Sequence, residues 1–166
     1  MKSGFLPFEI HITGKTDDIH KLSFVNTISI ELLRPDLSVM RVEHMTNHEV
    51  KMSYPDAFVY CYGLQAILRD AGCKLIRTKI ETAPFSEMFD RALYAECHFK
   101  ASSDELKKYP LSRNLKTGKL LGTAREYKRE NFEEFIKKWE GVTEEIELCI
   151  FDSNKESDND WMELYN

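Results

Sequence analysis

Three short segments of the chain set charged and hydrogen-bonding residues at every second position. Phe8-Glu9-Ile10-His11-Ile12-Thr13 does this with Glu9, His11 and Thr13, and Arg77-Thr78-Lys79-Ile80-Glu81 with Arg77, Lys79 and Glu81. Ala95-Glu96-Cys97-His98-Phe99-Lys100 does it again with Glu96, His98 and Lys100. Side chains alternate across a β-strand, so each trio shares a face while Phe8, Ile10, Ile12, Ile80, Cys97 and Phe99 take the opposite one. Strands favour branched and aromatic residues, so this density of charge needs a reason. If the three strands are neighbours, two histidines meet cations and carboxylates on one surface.

Such a surface suits acid–base work on an anion. Histidine exchanges protons near neutral pH, and in a pair one ring accepts a proton from a nucleophile while the other gives one to a leaving group. His11 and His98 are the candidates, in either order. The Thr13 hydroxyl, on the same face as His11, can hold a phosphate oxygen, and Lys100 stands in the corresponding place after His98. Arg77 and Lys79 supply charge-assisted hydrogen bonds to the anion. Glu9, Glu81 and Glu96 orient the imidazoles or pair with the cations. The competing interpretation is a solvated sheet face laced with cross-strand ion pairs.

Other polar residues carry weaker signals. Ser112, Arg113 and Asn114 lie in a polar stretch with Lys116, Thr117, Gly118 and Lys119, read as a loop over 111–122 that can wrap a phosphate or a ribose. His44 and His48 have metal-binding spacing only on a helix, whereas their segment reads as strand running into loop. His20 reads as a helix-surface residue, and no metal or other cofactor is expected. No P-loop, GxGxxG, GxSxG or HExxH pattern occurs, which leaves nucleoside triphosphatase, dinucleotide, serine hydrolase and zincin chemistry without support.

The elements that position these residues follow from periodicity and punctuation. Strands are expected over 7–14, 38–45, 74–82, 94–101 and 144–151. A first helix capped by Asp17 or Asp18 runs toward Ile28. The clearest helix spans 54–71, with Ser53 as cap, Pro55 in the first turn and Gly72 at the end. Its expected inner stripe is Phe58, Cys61, Tyr62, Leu64, Ile67 and Leu68. A loop or short turn covers 84–91, and Asp104–Lys108 forms one turn before Pro110. Asn131 with Glu134 makes a capping pair for a helix to Trp139, ended by Gly141. The order β-α-β-α-β-β-α-β predicts an α+β fold: a two-layer sandwich of ferredoxin-like βαβ units, with a mainly antiparallel sheet and helices on one face.

At 166 residues one domain is expected over 1–166, with a polar stretch from 152 that Trp161 anchors. Apolar residues at 42% and charged residues at 31% match a soluble globular protein. No apolar run approaches the ~20 residues of a membrane span, so no membrane association is expected. The start of the chain lacks the apolar stretch of a secretory signal. Cys61, Cys73, Cys97 and Cys149 form no CxxC pair and sit among apolar residues, which predicts buried thiols in a reducing compartment, the cytoplasm. A net charge of −5 argues against binding long duplex nucleic acid but leaves room for a small anion at a local cationic cluster. Oligomeric state is not legible in the sequence.

Two resemblances extend this reading. The chain resembles a group of small uncharacterised proteins with the series FExHxT, RxKIE, ExHxK, LSRN and (Y/F)DSN followed by tryptophan. Here these are Phe8–Thr13, Arg77–Glu81, Glu96–Lys100, Leu111–Asn114 and Phe151–Asn154 with Trp161. His11-Ile12-Thr13 and His98-Phe99-Lys100 also resemble the paired HxT/S motifs of the 2H phosphoesterases, with Lys100 where that family has Thr or Ser. The likeness implies a metal-independent hydrolase of cyclic phosphates or phosphodiesters, acting on a nucleotide or RNA end through two histidines. The alternatives are a non-catalytic module that binds anionic ligands such as nucleotides, or a protein-interaction domain.

Overall fold

In a computed structural model, the residues described are 6–22, 29–32, 39–45, 52–100, 111–113, 120–141 and 145–154. The fold is α+β, and every strand pairing described in register is antiparallel. The chain divides into two compact units, residues 1–81 and 82–166.

The first unit begins with β1 (Phe8–Lys15), where Phe8, Ile10 and Ile12 are fully buried, as their alternation requires. A single 3₁₀ turn at Ile19–Leu22 follows, with the His20 N–H donating to Asp18 Oδ1 at 3.0 Å. Where the longer helix toward Ile28 is expected, the described part, Ile19–Leu22, is this 3₁₀ turn; residues 23–28 lie outside the described residues. Then come β2 (Ser29–Leu32), β3 (Met40–Met45), α1 (Tyr54–Asp70) and β4 (Lys74–Thr82). β2 was not legible in the sequence, since four residues carry too little alternation to register.

α1 starts where the Ser53 side chain accepts from the Asp56 N–H at 3.3 Å, and it ends before Gly72, whose φ of 91° suits glycine. Its buried stripe is Ala57, Cys61, Leu64, Gln65 and Leu68. Tyr62 and Ile67, expected inside, are 56% and 42% exposed, so the inward face is rotated toward smaller residues. The helix packs on β1, and the Gln65 side-chain amide donates to Thr78 Oγ1 at 2.8 Å. Thr78 alternates with Arg77 and Lys79, which puts those cations on the sheet face turned away from α1. Gly14 is needed where β1 meets β4, because a Cβ there would lie 2.9 Å from the Lys74 carbonyl oxygen.

The second unit contains a 3₁₀ turn at Ser86–Met88, then β5 (Tyr94–Lys100), β6 (Leu111–Arg113), β7 (Leu120–Glu126), α2 (Phe132–Trp139) and β8 (Glu145–Asp152). The loop expected over 111–122 is corrected: Ser112 and Arg113 belong to a strand, and Leu120 opens another. Gly122 and the polar content hid the strands, since the pairing of β7 with β5 and of β6 with β7, rather than propensity, holds them. Asn114 and 104–108 lie outside the described residues. Asn131 precedes α2 but makes no side-chain cap; a 3₁₀ turn at Arg129–Asn131 leads into the helix instead. Phe135 and Trp139 of α2 pack with Ile146 on Cys97 and Ala124, so the helix covers the face opposite Glu96 and His98.

The two units share one plan. Each runs β-β-β-α-β, with strand order β2-β3-β1-β4 in the first and β6-β7-β5-β8 in the second. In each, the opening strand lies between the two strands joined by the helix, the split βαβ arrangement of ferredoxin-like folds.

Candidate functional site

In the first unit the sheet face away from α1 gathers around His11. Antiparallel pairing sets Glu43 of β3 directly opposite His11, and Arg41 opposite Thr13. His11 Nδ1 lies 2.9 Å from Glu43 Oε1, and Nε2 lies 2.6 Å from Glu9 Oε1 and 3.8 Å from Glu81 Oε2. The Nδ1 contact is a well-aligned hydrogen bond, whereas the Nε2 contact is an ion-pair approach off the N–H axis. Arg41 pairs with Glu43, and Lys79 with Glu81. Glu9, His11, Lys79 and Glu81 thus come together. Burial resists the charge on Glu9, but the close approach of His11 and the fields of His11, Arg41 and Lys79 outweigh it and hold the carboxyl below its ordinary 4.5.

The second unit repeats the theme with different connections. His98 Nε2 lies 3.0 Å from Glu96 Oε1, and Arg125 of β7 donates through Nε to Glu96 Oε2 at 2.7 Å. Burial works against the Arg125 charge, yet the Glu96 carboxylate beside it leaves the guanidinium more firmly protonated than usual. Thr123 faces His98 in register, and Glu145 and Glu147 of β8 face His98 and Glu96 from the other side. Lys100 pairs with Leu121 along the backbone.

These strand faces are not solvated. Thr13, Arg77, Lys79, Glu81, Glu96, Thr123 and Glu147 are all buried, and Glu81 and Glu96 are only 2% and 1% exposed. Ion-pair lacing on a wet sheet face does not account for charges withdrawn from water, because desolvation makes each one costly. Both histidines keep a path outward, with side chains 12% and 17% exposed.

Arg41, Glu43, Thr123 and Arg125 were missed by reading the sequence. Their signal was present: Arg41 and Glu43 alternate in Met40-Arg41-Val42-Glu43-His44, as Thr123 and Arg125 do in Gly122-Thr123-Ala124-Arg125. Glu9, His11 and Glu43 each bring one ligand atom within 4.8 Å of the others, a donor set that can hold a cation. In this structure Arg41 supplies positive charge there instead. His44 is buried and stacks on Tyr60 with ring centroids 4.8 Å apart, a packing role; His20 is exposed on its turn, and His48 lies outside the described residues.

The Phe151–Asn154 motif is structural. Asp152, expected to open a polar tail, is buried at the end of β8, where it accepts from Tyr94 Oη at 2.5 Å and from the Asn154 N–H at 2.9 Å. A cleft of about 620 Å³ at the end of α1 is lined by Lys21, Ile67, Asp70, Ala71 and Gly72, none of them a residue singled out above as a site candidate. No helix among the described residues is long and apolar enough to cross a membrane. Comparison with family models, curated proteins and solved structures finds no match to this chain.

Proposed function

We propose that the chain is a metal-independent phosphoesterase acting on a cyclic phosphate or phosphodiester of a nucleotide or RNA end. The proposed proton-transferring groups are His11 in the first unit and His98 in the second. The observation that carries this reading is a glutamate set against a histidine on the opening strand of each unit: the half-buried Glu9 on His11 at 2.6 Å and the buried Glu96 on His98 at 3.0 Å. A carboxylate against an imidazole fixes the orientation of the ring, which a proton-transferring histidine requires. The cations Arg41, Lys79 and Arg125 in these clusters, with Arg77 on the strand face of Lys79, fit an anionic substrate, and Thr13 and Lys100 keep their proposed roles on the phosphate. Ser112, Arg113 and Asn114 remain proposed phosphate contacts.

The test is turnover of nucleoside 2′,3′-cyclic phosphates and short phosphodiesters in the presence of EDTA. We predict that His11→Gln and His98→Gln each lower the rate by at least about 10²-fold while the fold is retained. Full activity in both variants ends the reading. A second reading, a non-catalytic nucleotide-binding module, is favoured by the carboxylates crowding His11, with Glu43 hydrogen-bonded at Nδ1 and Glu9 close to Nε2. It predicts a saturable thermal shift with nucleotides and no product. A docking face for a protein partner would want these side chains at the surface, whereas Arg77, Lys79, Glu81 and Glu96 are buried.

A further inference from the structure

Among the polar residues of the second unit, Thr123 stands out. Its side chain is 0% exposed, and Oγ1 has no hydrogen-bond partner. Buried hydroxyls are nearly always satisfied, so an unsatisfied one calls for an explanation. Thr123 is the register partner of His98, and directly opposite residues of antiparallel strands hold their Cβ atoms about 5 Å apart on one face. Two positions along the same strand and face, Arg125 grips Glu96, which in turn contacts His98. The idle hydroxyl therefore sits beside one imidazole, one guanidinium and the Glu96 carboxylate, with Glu145 and Glu147 of β8 across β5 from it.

We propose that Thr123 Oγ1 is the hydroxyl that receives a phosphate oxygen in the second unit. This deepens the phosphoesterase reading and rests on it. A hydroxyl can donate to a phosphate oxygen while the adjacent guanidinium offsets the anion's charge. His98, the more exposed neighbour at 17% against 7% for Arg125, is the side chain that turns aside to admit the ligand. The assignment also gives this unit a hydroxyl although its opening strand carries Lys100 two positions after the histidine, where the first unit carries Thr13.

The experiment is calorimetric titration of the full chain with inorganic phosphate and with adenosine 3′-monophosphate, alongside melting curves. Thr123→Val removes the hydroxyl at nearly constant shape and Thr123→Ser keeps it. The expected result is binding at least about tenfold weaker in the valine variant, near wild-type binding in the serine variant, and a melting temperature in the valine variant no lower than wild type. If the valine variant does not fold, Thr123→Ala serves in the same comparison. Unchanged binding in Thr123→Val, with binding lost in His98→Gln, overturns the inference and leaves the phosphoesterase reading standing. A lower melting temperature with unchanged affinity assigns the hydroxyl to a structural water and overturns it as well. Failure of the wild-type chain to bind either probe overturns both.

Discussion

At the scale of single residues, the energetics turn on carboxylates kept charged away from water. Glu96 is 1% exposed and holds both His98 and Arg125, so replacing it by glutamine removes the carboxylate charge that faces a buried guanidinium. We predict that Glu96→Gln destabilises the fold by about 3 kcal/mol, measured by denaturant titration. Glu9 makes a pH prediction. Its folded-state value lies below the ordinary 4.5, so its contribution is complete above about pH 4.5 and is lost as pH falls through the lowered value. Glu9→Gln should therefore flatten the acid limb of the stability profile while changing little of its shape at higher pH. An unchanged acid limb would show that Glu9 is not held by its neighbours.

Elements are held by signals that the sequence announces and by contacts that it does not. The start of α1 depends on the Ser53 hydroxyl, and Ser53→Ala should cost about 1 kcal/mol. At Gly14 the backbone of β4 leaves no room for a Cβ, since the nearest atom is a carbonyl oxygen that cannot swing away. Gly14→Ala should therefore cost about 1–3 kcal/mol, detectable as a lower denaturant midpoint with an unchanged slope. β1, β4, β5, α1 and β8 were legible because each combines sustained periodicity with a clear terminator. β2 and β6 were not, being four and three residues long. β7 was missed because Gly122 and the charged residues around it read as a loop, while its place in the sheet is set by six paired positions with β5.

Across the whole molecule, the chain builds the plan β-β-β-α-β twice and puts a glutamate-held histidine on the opening strand each time. The supporting arginine comes from the third strand in both units, but through different carboxylates: Arg41 through Glu43 to His11, and Arg125 through Glu96 to His98. The second helix covers one face of its unit, and the four cysteines are buried as free thiols. Burial pushes Cys61 up to about 11 and Cys97 up to about 12, so neither presents a thiolate near neutral pH. We predict that the native chain releases almost no chromophore from a disulfide reagent at pH 8, and that all four thiols react once guanidinium unfolds it. Prompt reaction of the native chain would contradict this packing.

Alternation within strands is a local property, so the sequence alone determined which faces carry Glu9, His11, Glu81, Glu96 and His98, and that the fold is α+β. Capping and glycine chemistry likewise fixed both ends of α1 without reference to anything distant. Only the tertiary structure decided that Glu43 faces His11, that Thr123 faces His98, and that these polar faces are withdrawn from water. Cross-strand register joins residues 25 to 32 positions apart, and burial depends on what the rest of the chain lays over a face. Neither quantity is written in the neighbourhood of any one residue, which is why the partners of the two histidines could not be read from the motifs that revealed them.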